Sequence, residues 1–127
     1  MNFEKVLFGF FIILALTLNF GFVLGEIDNP AHHNVYELFA AIVVNLIATV
    51  MKFGDRTHIG ALLLATSLVA ILQLLVAAVV WGYAVNISAT GMSPMLMASI
   101  VSLAAGAVVA NVISVVLLIA DAVNLRR

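Results

Sequence analysis

Apolar positions in this chain fall into four long runs, over residues 6–25, 35–51, 59–84 and 95–120, with short polar segments between them. Each run approaches or exceeds the ~20 residues that a helix needs to cross hydrocarbon. The pattern therefore predicts an all-α polytopic membrane protein with four transmembrane helices, over about residues 5–25, 30–53, 58–84 and 94–121. These form one domain over 1–127, because the connections left over are too short to fold separately. Function is expected in or beside the bilayer, and no enzyme activity or cofactor is expected. The first run could also be a secretory signal, but it is longer than the ~7–15 residues usual for a signal core, so a retained span is expected.

Polar positions within the runs are few and regularly placed. Each span carries one carboxamide, Asn19, Asn45, Gln73 and Asn111. An amide facing lipid leaves its hydrogen-bonding groups unpaired, at a cost of several kcal/mol in a fully apolar medium. All four should therefore turn toward protein or a wet path. Helical spacing agrees: Glu37, Ala41, Asn45, Ala48 and Lys52 share one stripe, as do Thr66, Ala70, Gln73 and Ala77. The amides serve either as interhelical glue, worth about 0.6–2 kcal/mol per bond, or as the lining of a permeation path. In the last span Ala98, Ser102, Gly106, Ala110 and Ser114 recur every fourth residue, a seam that lets two helices approach closely. A homo-oligomer interface and an intramolecular contact both fit it. Six phenylalanines are distributed around the first span, between Phe3 and Phe22, which suggests a peripheral, lipid-facing helix.

Charge sets the orientation. Lys5, Lys52, Arg56, Arg126 and Arg127 all fall on one side of the four spans, and the positive-inside rule makes that side cytoplasmic, N-in and C-in. Asp121 lies near the same side, where Arg126, Arg127 or Lys52 is its expected partner, or interfacial water if it pairs with none. Asn29-Pro30 and Ser93-Pro94 read as helix starts, a capping side chain followed by proline at the first helical position. Asp55 or Thr57 can cap the third span. Tyr36, Trp81 and Tyr83 sit where an outer aromatic belt is expected.

Composition narrows the function classes. At 65% hydrophobic and 9% charged residues, with a mean hydropathy of +1.27, the chain departs from soluble proteins, in which about a quarter of residues are charged. Cysteine is absent, which removes thiolate and disulfide chemistry. No basic patch points to nucleic acid. No Ser/His/Asp set suggests hydrolysis, and His32, His33 and His58 lie at helix ends or in a loop, where haem ligation between helices is not expected.

Candidate chemistry concentrates in GEIDNPAHHNVYE, residues 25–37. One account is structural: Glu26 and Asp28 complement a helix N-terminus, for about 0.3–1 kcal/mol each, and His33 and Glu37 form an i, i+4 pair. The other needs symmetry, with copies of Glu26, Asp28 and Glu37 forming acidic rings at the mouth of a cation pore. On that account the path runs from Glu37 past Asn45 to Lys52, as a constriction, in a homo-oligomer. His33 and Glu37, with His32 or Asp28, also form a candidate transition-metal set. A noncatalytic accessory or structural subunit that binds another membrane protein is the alternative to the channel. A small ion-coupled exporter is the third reading, disfavoured because no carboxylate lies mid-membrane.

The segments NVYELFAAIVVNLIATVMKFGDRT and NFEKVLFGFFIILALTLNFGFVLG resemble a family of short four-span bacterial inner-membrane proteins built on a domain of unknown function. The resemblance covers most of the chain. It implies a multi-pass protein of the bacterial inner membrane and brings no activity, substrate or site residue with it.

Overall fold

A computed structural model describes residues 3–126. Its four helices are α1 (Phe3–Val23), α2 (Val35–Lys52), α3 (His58–Asn86) and α4 (Pro94–Arg126), with a short 3-10 turn at Pro30–His32. All four are long and apolar enough to span a membrane, and no strand occurs among the described residues. They alternate in direction. α1 packs against α2 and α4, and α3 packs against α2 and α4, so the chain closes into a ring of four neighbours. The start of α1, the end of α4 and the α2–α3 turn lie at one end, together with Lys5, Lys52 and Arg56. By the positive-inside rule this is the inner end.

Local chemistry sets the helix starts. Thr57 accepts a hydrogen bond from the Gly60 amide, and Ser93 accepts one from Leu96, as expected of caps. The start of the second helix differs from the sequence expectation. Asn29 and Pro30 do open a helical turn, with Ala31 N–H donating to Asn29 Oδ1, but that turn is the isolated 3-10 segment. His33 and Asn34 then run extended, and α2 begins only at Val35, where Asn34 Oδ1 accepts from Tyr36 N–H at 2.8 Å.

Small residues dominate where helices meet. Ala15, Ala41, Ala48, Ala70, Ala77 and Ala104 are fully buried, which lets backbones approach closely where lipid supplies no hydrophobic drive. Larger side chains fill the core toward the two ends. Phe22, Leu38, Leu74 and Met97 belong to the outer cluster, and Phe8, Ile12, Ala48 and Leu63 make the inner one. Phe8 and Phe22 are among the largest fully buried side chains, so α1 is not the peripheral helix that its scattered phenylalanines suggest. Phe3, Phe10 and Phe20 face outward.

Candidate functional site

Three polar regions are stacked along the bundle. At the outer end, residues 24–34 fold back over the tops of α1 and α2. His33 is only 4% exposed. Its Nδ1 lies 2.6 Å from the Phe22 carbonyl oxygen and its Nε2 lies 2.7 Å from that of Glu26. Both ring nitrogens thus face backbone carbonyl oxygens. His32 Nδ1 accepts from Glu26 N–H at 2.8 Å. Gly25 permits this fold: its φ is +96°, and a Cβ there would meet the His32 ring.

The acids do not gather around these rings. Glu26 and Asp28 are exposed, while Glu37, half-buried, lies against Gly21 of α1. His33 is outside α2, and no His33–Glu37 ion pair forms among the described residues. Both His33 nitrogens are taken up by carbonyl oxygens, so a metal would have to displace one of them. No group of three metal-ligating side chains occurs among the described residues.

The middle of the bundle holds the amides. Asn19, Asn45 and Asn111 have no exposed surface, and Gln73 is partly buried against Gly106 of α4. The Asn19 amide, with its nitrogen toward Ala104 O and its oxygen toward Val108 N–H, both at 3.2 Å, binds one turn of α4 backbone. Asn45 Nδ2 donates back to Ala41 O at 2.8 Å, and Thr49 does the same to Asn45 O. Thr66 and Ser114 hydroxyls meet across α3 and α4. Since Thr66 meets Ser114 and Gln73 meets Gly106, Asn111 lies level with the Ser67–Ala70 turn of α3. Asn45 Oδ1, Ser67 Oγ and both amide atoms of Asn111 have no protein partner.

The small-residue seam divides along its length. An i, i+4 row advances about 40° per step on a helix of 3.6 residues per turn, so it winds around α4. Ser102 is exposed, Gly106 meets Gln73, and Ala110 and Ser114 are buried. From Gly106 onward the seam is therefore an intramolecular contact with α3.

At the inner end, a cleft of about 220 Å³ is lined by residues of all four helices and of the α2–α3 turn. Lys5 Nζ lies 3.9 Å from Asp121, and Lys52 Nζ lies 3.6 Å from Asp55. Asp121 thus meets Lys5 of α1, while Lys52, one of its expected partners, is with Asp55; the side chains of Arg126 and Arg127, the other expected partners, lie outside the described residues. The Lys52 ammonium also sits 4.3 Å from the centre of the Phe8 ring, a cation–π contact. Asp55 accepts from both the hydroxyl and the amide of Thr57, at 2.7 and 2.9 Å. Those hydrogen bonds, the hydroxyl's first, hold its carboxyl below the ordinary aspartate range, with the Lys52 charge adding to the effect. Lys5, Asp55 and Asp121 are the residues that the sequence did not mark as a group. Their shared side of the membrane was visible in the charge pattern, but their contact depends on α4 closing against α1.

The chain belongs to a family of unknown function (DUF6394), whose profile matches residues 32–122. No curated protein and no solved structure matches it.

Proposed function

We propose that this small membrane protein is a noncatalytic accessory or structural subunit that associates with another membrane protein. The closed interior of the protomer carries this reading. The stripe from Glu37 to Lys52 does face inward at Ala41, Asn45 and Ala48. However, the Asn45 level is capped outward by Phe22, Leu38 and Met97 and inward by Phe8, Ile12 and Leu63. Asn19 joins α1 to α4 and Asn45 bonds its own helix, and amides sealed between two apolar layers do not line a continuous wet path through one chain. Lys52 is likewise engaged, by Asp55 and Phe8.

Cation conduction is the second reading, and it requires a path between copies in a homo-oligomer. The exposure of Glu26 and Asp28 at the outer end favours it, since acids on an outer rim are what a ring about a symmetry axis needs. Reconstitution into liposomes decides between the two. The accessory role predicts cation flux no greater than in empty vesicles, with Glu37→Gln changing nothing. Flux that Glu37→Gln reduces several-fold overturns it and establishes conduction.

A further inference from the structure

Three fully buried polar side chains, Asn45, Ser67 and Asn111, come together at one level of the bundle axis, and helix register shows it. Gly21 meets Glu37, so Asn45, eight residues on from Glu37, lies about opposite residue 13, eight back from Gly21. Gly9 meets Leu118, so Asn111, seven residues before Leu118, lies about opposite residue 16, seven on from Gly9. Thr66 meets Ser114 across α3 and α4, which sets Ser67 within one turn of Asn111.

Each of the three also points inward. The residues one turn before and after it on the same face are buried: Ala41 and Ala48 about Asn45, Leu63 and Ala70 about Ser67, Ala107 and Ser114 about Asn111. On α1 the inward residue at this level is Ala15, fully buried as well. Alanine ends at Cβ, so the axis here is left to the polar groups.

The unmet groups select what sits among them. Asn45 Nδ2 is committed to Ala41 O, and its Oδ1 is left as an acceptor. The Ser67 hydroxyl and the nitrogen and oxygen of the Asn111 amide are without a protein partner, so donors and acceptors are both called for. A cation answers only the acceptors, and no carboxylate stands at this level to balance its charge. Lipid answers neither kind. Water donates and accepts. The nitrogen and oxygen of one amide diverge, so a water on one of them does not serve the other.

We propose that this layer is a binding site for two water molecules, which bridge Asn111 to Asn45 on one side and to Ser67 on the other. Bridging waters bond nearly as well as direct contacts, and these tie α2 to α4, which lie diagonally across the ring. The apolar clusters on either side close the layer off, so it is a site and not a path, and it goes beyond both readings of function without resting on either.

Long-lived bound water is read by solution NMR of the full-length, isotope-labelled protein in bicelles, through NOEs from water to side-chain amides. The Asn111 amide should show a water NOE several-fold stronger than that of Asn19, whose amide is bonded to the α4 backbone. Ser67→Ala removes a hydroxyl whose exchange with water can relay such a signal, and the Asn111 NOE should survive it. Replacing sodium with a large organic cation should leave the Asn111 amide shift unchanged. An Asn111 NOE no stronger than that of Asn19 overturns the proposal on the wild-type protein alone, so a misfolded variant leaves the test standing. Loss of the NOE in folded Ser67→Ala, or an Asn111 shift that follows the sodium concentration, also overturns it.

Discussion

The two ends of the bundle handle polar groups in opposite ways. At the outer end, His33 and His32 find their partners in the backbone of the segment they belong to: the carbonyls of Phe22 and Glu26 and the amide of Glu26. At the inner end, lysines and aspartates from separate elements meet at arm's length around a cleft. A side chain bonded to buried main chain is tied into the fold, because leaving that main-chain group unpaired costs about 1–3 kcal/mol. Surface ion pairs are worth about 0–1 kcal/mol, so their partners can be exchanged at little cost. The outer end is thus tied through its histidines to the main chain, whereas the Lys5–Asp121 contact of the inner end joins two side chains from the first and last helices.

The largest expected effect is at the outer end. His33→Ala orphans the buried Phe22 carbonyl and should destabilise the protein by about 1–3 kcal/mol. Residues 24–34 should lose amide protection together, because the same ring also holds Glu26. Unfolding in detergent or bicelles, with hydrogen exchange over that segment, checks this. Unchanged protection would show that the loop is held by its turns alone, and the contrast between the ends would fall.

A smaller effect is expected where the ion pairs lie. Lys5→Gln and Asp121→Asn, singly and together, should each cost no more than about 1 kcal/mol, with a coupling energy inside the same range, as for exposed pairs generally. Lys5 has half of its side chain exposed, so raising salt should shrink the coupling further. A coupling well above that range would mean that the inner end is built into the fold no less firmly than the outer one.

Most of the frame was legible because bilayer thickness fixes span length and unpaired amides are costly in lipid. The four runs, the inward-facing Asn19, Asn45 and Asn111, and the Thr57 and Ser93 caps all follow from those two facts. The start of α2 was less legible. Asn29 and Asn34 are both good caps, and the choice between them rests on His33 reaching back to Phe22, a contact between segments that local sequence does not display. In α1 a usable signal was present. The buried Phe8, Ile12, Ala15, Asn19 and Phe22 are spaced by alternating steps of four and three, the seam of a helix packed on its neighbours. It is hard to see because the opposite face is just as apolar, as a lipid-exposed face must be, so hydropathy does not separate core from perimeter. The Lys5–Asp121 pair is a product of ring closure between the first and last helices, and nothing near either residue announces it.

The smallest expected effect tests the α2–α3 turn. The Thr57 hydroxyl and amide hold the Asp55 carboxyl below the ordinary aspartate range, which means that the folded turn binds the ionised form better than the unfolded chain does. The folded pKa is the lower one, so the stabilisation is complete above the unfolded aspartate pKa. It is lost as the pH falls from there through the folded value. Acidification over that window should loosen the α2–α3 turn, read as a lower protection factor for the Thr57 amide once its exchange is corrected for the slower intrinsic rate in acid. The effect should be modest because the carboxyl remains partly open to solvent, where water screens its interactions. Asp55→Asn keeps a side-chain oxygen that can accept from Thr57, so it should abolish the acid dependence while leaving much of the cap in place. If the acid transition persists in that variant, another carboxylate of the inner end is responsible, and Asp121 is then the group to replace next.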